Sequence, residues 1–402
     1  MNRKNRYQKH ESRFGWIVVV VLLIAVLVGI IVLFQSCDRP NGKSDKPDGQ
    51  TTPAASTAVP TASPSEASHS EVAEEERYVQ SAGNVIYDAK VFDPKASSVS
   101  CPVVRTLDVY QLKNTFTSLY GSRFVPDWAS RQAEDSSSYF NIKTQDGSQI
   151  SVGVRGSIEC KTKFGHDSEI IYANQPELTY YYPQIDFSWG TRQSCVEDAQ
   201  SFFRSFGVKT VGSGAMAVTS ERYEAEYQFN LPIWEEEKKI GMYKFLRDHI
   251  DYEDDELFYI VYLQQMLGEI PIYRFNIYSK SRLEELDGTR IYAIYSRNGL
   301  EKIFSNSLYE MRTPGESKNI LRFEKAVETF NRYINDDLLL DEPLTIGYVG
   351  LEYIPDGGIK DQTTEVTMKP YWIFRAIKPE ERGWPYFEDY LLDAVTGQVV
   401  IQ

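Results

Sequence analysis

One stretch limits the chain before any other. Phe14 to Phe34, FGWIVVVVLLIAVLVGIIVLF, runs without a charge. At 1.5 Å rise per residue, a helix of about 20 residues spans about 30 Å, the thickness of a bilayer's hydrocarbon core. The run therefore reads as a single transmembrane helix; the competing reading is a buried core helix. Arg3, Lys4, Arg6, Lys9 and Arg13 precede it, opposed only by Glu11. The positive-inside rule puts this basic tail (1–13) in the cytoplasm and the rest of the chain outside. The expected localisation is the cell membrane, single-pass. A cleaved signal peptide fits less well, since its apolar region is usually shorter. The FQSC sequence ending at Cys37 gives an alternative, a lipoprotein anchored at that cysteine.

Residues 35–76 are rich in Pro, Ser, Thr, Ala and Gly and poor in large apolar side chains. Such a segment cannot bury enough surface to offset chain entropy, so a disordered linker is expected. The net charge of −14 argues against a general nucleic-acid binder. Of the 4 histidines, His10 and His69 fall in these terminal segments. An imidazole centre would have to use His166 or His249. Beyond the linker stand Cys101, Cys160 and Cys195, with no CxxC. Free thiols and one disulfide, such as Cys160 to Cys195, are both open readings.

The remaining sequence alternates helical and strand patterns. RTLDVYQLKNTFTSLYG, Arg105 to Gly121, spaces Leu107, Tyr110, Leu112, Phe116 and Leu119 as a helix does. Strands follow, with Phe140 and Ile142 on one side of an Asp146–Gly147 turn and Ile150 and Val152 on the other. A second helix is expected from Ser194, with Glu197 completing a capping box and Gly207 ending it. After it, Tyr259 to Tyr273 reads as a strand, a turn at Gly268 and a return. Ile291 to Phe304 reads as a hairpin at Asn298–Gly299. A third helix carries Phe323, Val327, Phe330 and Ile334 on one face. PYWIFRAI (Pro370 to Ile377) and YLLDAVTGQVVIQ (Tyr390 to Gln402) then close a small antiparallel sheet. In the last segment Asp393 suits a turn carboxylate and Gly397 a positive φ. The fold class expected is α+β, a repeated helix on antiparallel sheet. Its units are 77–190, 191–312 and 313–402, all outside the membrane.

The last unit resembles the PepSY domain. The matching features are the helix around Ala326, Trp372 in PYWIFRAI, and Asp393, Ala394, Thr396, Gly397 and Val399–Val400 in the closing hairpin. From about Ser194 onward the chain also resembles membrane-anchored Yyc-type regulators of a Gram-positive sensor kinase. That resemblance implies a bacterial regulatory protein whose partners are the membrane and a sensor kinase or other envelope protein. The long linker and the unit from Tyr78 to Gly190 depart from that arrangement.

No sequence motif carries chemistry. DYEDDE (Asp251 to Glu256) lacks the spacing and mid-loop glycine of a calcium loop. WEEEKK (Trp234 to Lys239) reads as an exposed helical turn. GWPYF (Gly383 to Phe387) reads as an aromatic loop, either core or contact surface. G-x-S-x-G, H-E-x-x-H and P-loop patterns are absent from the sequence. No residue is assigned a catalytic, cofactor-binding or metal role, and no cofactor is expected. A non-enzymatic binding or regulatory protein is the leading expectation. The alternatives are a structural or cell-wall-facing component and an envelope hydrolase with dispersed carboxylates.

Overall fold

The computed structural model describes residues 77–401, apart from 132–133, 136–138, 170–184, 240–247, 254, 275–276, 279–284, 287, 338–341, 358–363 and 379–385. It opens with β1 (Arg77–Ala82) and β2 (Val85–Phe92), a hairpin closed at Gly83–Asn84 with Gly83 at φ +62°. In β2, Val85, Tyr87 and Ala89 are buried while Ile86 and Asp88 face solvent, the two-residue period of a strand with one wet face. β3 (Ser98–Thr106) follows, then α1 (Val109–Leu119) and the short α2 (Gly121–Phe124). Asp108 caps α1 by accepting from the N–H groups of Tyr110 and Gln111. α1 buries Val109, Leu112 and Phe116 and leaves Tyr110 and Leu119 outside, so its buried stripe is narrower than the sequence suggests.

β4 (Glu134–Asp135), β5 (Tyr139–Lys143), β6 (Gln149–Gly153) and β7 (Ser157–Lys161) form a meander, with the expected turn at Gly147. α3 (Lys163–Asp167) and α4 (Arg192–Arg204) come next. Thr191, three residues before the expected cap, accepts the Ser194 N–H and starts α4, which buries Cys195, Ala199, Phe202 and Phe203. Then come β8 (Thr210–Thr219), α5 (Ser220–Lys239), β9 (Glu256–Leu267), β10 (Ile270–Pro271), the small ribbon β11 (Ile277–Tyr278) with β12 (Glu285–Leu286), and the hairpin β13 (Ile291–Ser296) with β14 (Gly299–Ser305). β15 (Tyr309–Asn319) leads to α6 (Phe323–Arg332), β16 (Leu344–Pro355), β17 (Val366–Lys378), β18 (Tyr386–Asp393) and β19 (Val399–Ile401).

Two sheets result. The first has 8 strands, in the order β1-β2-β16-β17-β18-β19, with β3 joining β17 and β15 joining β3. The second has 9, in the order β10-β9-β13-β14-β7-β6-β5-β4, with β8 also on β9. α6 lays Phe323, Ala326, Val327 and Phe330 on the first sheet, where Phe330 stacks on Phe374 at 4.0 Å. α1 and α4 cover one face of the second sheet, with Phe116, Phe202, Phe203, Tyr259 and Ile303 in one core. Tyr223 of α5 packs with Phe258, Ile260 and Ile294 in another cluster.

This architecture corrects the expected fold class. The chain does not build a repeated helix-on-sheet unit. It builds two large sheets whose strands come from distant parts of the sequence. β7 pairs with β14, and β2 pairs in parallel with β16. The physical reason is edge pairing: each closes a sheet edge that a self-contained small unit would leave open. The N-terminal part of the expected fold is corrected as well. Among the described residues no helix is long and apolar enough to cross a membrane. The run Phe14–Phe34, Cys37 and the linker 35–76 lie outside the described residues. A transmembrane helix is thus no part of the described architecture. The single-pass membrane localisation and its lipoprotein alternative find no support in it.

The stacking of Phe330 on Phe374 sets an expected outcome. Phe330→Ala should cost about 3–5 kcal/mol, the range for emptying an aromatic core site. Leu119→Ala, at an exposed position, should stay within about 0.5 kcal/mol. Urea unfolding of the two variants measures the difference.

Candidate functional site

The C-terminal hairpin carries the most specific pattern in the sequence, the turn Asp-Ala-Val-Thr-Gly. Asp393 Oδ1 accepts from the N–H groups of Val395 and Thr396, each at 2.8 Å. The Gly397 N–H donates to the Asp393 carbonyl at 2.8 Å, and Gly397 sits at φ +74°. A Cβ there would stand 3.3 Å from Leu321 Cδ1. The turn is tied to the entry of α6: the Leu321 N–H donates to the Ala394 carbonyl at 2.7 Å, and Trp372 Nε1 donates to the Leu321 carbonyl at 2.9 Å. Asp393, Gly397 and Trp372 are therefore brought together as one brace between helix and hairpin.

The face of β16–β18 turned away from α6 holds a polar layer that no pattern of the surrounding apolar strands announces. Arg375 reaches Asp389 on the neighbouring strand through two hydrogen bonds, Nε to Oδ1 at 2.6 Å and Nη2 to Oδ2 at 2.7 Å. Both side chains are almost wholly buried. Tyr273, from the segment after β10, donates its hydroxyl to Asp389 Oδ2 at 2.7 Å. Tyr348 donates to Glu352 Oε1 at 2.6 Å and carries the Arg375 guanidinium over its ring at 5.3 Å. Gly350, between them on β16, leaves room for the Tyr348 ring; an added methyl would collide with its hydroxyl. Burial pushes the Glu352 carboxyl up, against the pull of Arg375 and Arg274.

A second cluster sits on the other sheet. Lys302 of β14 is buried and contacts Glu159 of β7 at 3.3 Å and Glu169 beyond α3. Lys161 joins both carboxylates, at 3.0 Å and 3.2 Å. The Tyr292 and Phe304 rings stand 5.2 Å and 5.7 Å from the Lys302 amine. Burial lowers that amine to about 7, against the attraction of Glu159. Burial also works to raise the Glu159 carboxyl, but the two lysines outweigh it and leave it lowered. The arrangement exchanges charge internally and latches the segment after α3 onto the sheet.

The other sequence candidates are dispersed. Cys101, Cys160 and Cys195 are buried free thiols, which removes the disulfide reading, and burial pushes the Cys195 thiol up to about 11. His249 Nε2 lies 2.8 Å from Glu224 Oε2, and His166 lies on α3. Lys163 bridges Asp167 and Asp248 at 2.7 Å and 2.8 Å, which draws the His249 segment toward α3. In the acidic cluster, Asp255 receives the Ser220 hydroxyl and Glu256 receives the Ser188 N–H and hydroxyl. Trp234 to Lys239 end α5, with an ion pair from Lys239 to Glu236. Of GWPYF, Phe387 packs against the α5-side cluster, and residues 383–385 lie outside the described residues. Among the described residues no group of His, Cys, Asp and Glu side chains is arranged to hold a metal ion.

Comparison with known proteins leaves the fold as the shared property. No family model matches the chain, and no curated protein matches it. A crystal structure of an uncharacterized protein from Eubacterium rectale is similar to it, with a TM-score of 0.57 and 12% identity, covering 79% of this chain and 91% of that one.

Two outcomes follow from the buried charges. Asp389→Ala, which breaks the pair with Arg375, should cost about 3–5 kcal/mol in urea unfolding, and the double variant Arg375→Met/Asp389→Leu should recover most of it. For Lys302, the amine loses its proton near pH 7 when folded and near 10.5 when unfolded. Between these values the unfolded chain binds the extra proton, so this group makes stability rise with pH across that window and leaves it level below 7. Lys302→Met should flatten that part of the stability–pH profile relative to the wild type.

Proposed function

We propose that the protein is a non-enzymatic binding or regulatory protein that modulates a partner protein, a sensor kinase or another envelope protein, through its PepSY-like C-terminal unit. The observation that carries this reading is the commitment of Asp393. The carboxylate at the centre of the unit's most specific motif holds two backbone N–H groups and fixes a turn against α6. It serves as a brace for a helix-on-sheet surface. The buried ion pairs support the same reading: Arg375 with Asp389, and Lys302 with its two glutamates, hold strands and segments together. The PepSY resemblance adds the expectation of a protein partner.

The test is partner capture by cross-linking the full chain in intact cells, followed by mass spectrometry. One defined protein should be recovered in constant ratio. Gly397→Val should destabilise the unit by about 1–3 kcal/mol, because a β-branched residue strains at positive φ, and should weaken capture accordingly. Asp393→Asn should be mild, since Asn makes the same turn hydrogen bonds. Recovery of no defined protein would overturn the proposal, and an Asp393→Asn protein with unchanged stability but no capture would overturn the bracing role of Asp393 that carries it.

A further inference from the structure

Sheet edges are where a chain of this kind is open to another chain, because an outer strand carries unpaired backbone donors and acceptors. Most outer edges among the described residues are blunted. β4 and β10 are 2 residues long, and β19 is 3. β15 is broken by register shifts on either side of Thr313, contains Pro314, and carries Arg312, Glu316 and Lys318. β8 has register shifts at Gly212/Gly214 and at Val218/Thr219.

β1 has none of these protections. It is 6 residues long, pairs with β2 in unbroken register from Arg77↔Lys90 to Ala82↔Val85, and contains no proline. Its one charge is neutralised within the hairpin, where Arg77 makes two hydrogen bonds of 2.7 Å to Asp88. In a hairpin closed by a two-residue turn, the residues flanking the turn form a hydrogen-bonded pair and alternate positions turn outward. Ala82, Gln80 and Tyr78 therefore bond to β2, while Arg77, Val79 and Ser81 direct their N–H and C=O groups to the free edge. Val79 is 71% exposed and Ile86 39%, on the face opposite α6. On the other face Tyr78 packs edge-on against Phe323, with Glu324 of α6 beside it.

We infer that the free edge of β1 is a docking strand, which takes an extended segment of a protein partner by strand addition. This rests on the reading of the protein as a binding protein and names the surface that binds. A second copy of the chain fits the edge poorly. Strand pairing over so short an edge buries far less than the roughly 1,200–2,000 Å² of a stable interface, and a net charge of −14 sets copies against each other. The occupant is a segment with β-branched residues at alternate positions, to cover Val79 and Ile86, and a Lys or Arg flank, to meet Glu324 and the acidic chain.

The experiment uses the full chain and a short fluorescent peptide of alternating Val and Thr flanked by Lys. The peptide should bind the wild type by anisotropy and should slow amide exchange at Val79 and Ser81. Val79→Pro removes an outward N–H and no ladder hydrogen bond, so the hairpin tolerates it. It should weaken the peptide about tenfold or more. Val79→Lys, which keeps the backbone N–H but places a charge on the edge, should weaken it as well and guards against misfolding of the proline variant. Absence of binding to the wild type, equal binding to all three proteins, or unchanged exchange at Val79 and Ser81 would overturn the docking strand. A concentration-dependent dimer in sedimentation, abolished by Val79→Pro, would overturn the choice of occupant. Either failure leaves the cross-linked capture of a partner standing, so the surface and the function are tested apart.

Discussion

The Arg375–Asp389 pair and the tyrosine that joins it hold the described residues to one arrangement. β9 belongs to the second sheet, but the chain continues from it through β10 to Tyr273, whose hydroxyl enters the first sheet at Asp389. The backbone follows the same path: Ile272 bridges Tyr353, and the Tyr273 N–H donates to the Tyr353 carbonyl at 2.8 Å. Nearby, Gln265 acts as a substitute peptide group, donating to the Tyr309 carbonyl at 2.6 Å and accepting the Tyr309 N–H at 3.0 Å. Buried charge pairs add little net stability over apolar contacts, yet losing one half is costly. Their effect here is on register. A one-residue slip of β18 would turn Asp389 to the α6 face and leave Arg375 buried without that partner.

The same economy runs through the other ionisable groups. Asp393 serves a turn, Glu256 receives the start of the Ser188 segment, and Lys302 holds Glu159 and Glu169. Groups used this way stiffen a scaffold. Among the described residues, the outer backbone edge of β1 stands out as a regular strand edge without such an internal partner.

Local elements were legible in the sequence because their causes are local. The Asp393–Gly397 turn, the Gly268 and Asn298–Gly299 hairpins and the apolar face of α6 each follow from residues a few positions apart. The placement of β1 to β3 is not legible, although β2 alternates cleanly, since β16 and β17, which receive them, lie far along the chain. Neither are the buried charges of the two sheets: Arg375, Glu352 and Lys302 lie in apolar strand sequences where a charge reads as solvent-facing. Arg375 is buried because Asp389 stands on β18 and Lys302 because Glu159 stands on β7, while Glu352 is met by the Tyr348 hydroxyl of its own strand and by the charge of Arg375. The recurring helix-then-strands pattern suggests repeated units, but it carries no record of which strand pairs with which.

The parallel alignment of β2 with β16 has a consequence in time. The Asn84 N–H is accepted by Asn335 Oδ1, across 251 residues of chain, and Leu344 then begins the ladder on Val85. The β1–β2 hairpin can close within microseconds of its synthesis, but its apolar face has no cover until α6 emerges, and the far edge of β2 has no partner until β16 follows. Such distant pairings pay their loop-closure entropy before any contact rewards it, which slows folding. The first strands made are thus among the last to be buried, and the nascent chain must carry Val85, Tyr87 and Ala89 uncovered for most of its translation. A ribosome-bound chain that stops short of Phe323 would present those residues to chaperones, whatever the state of the second sheet.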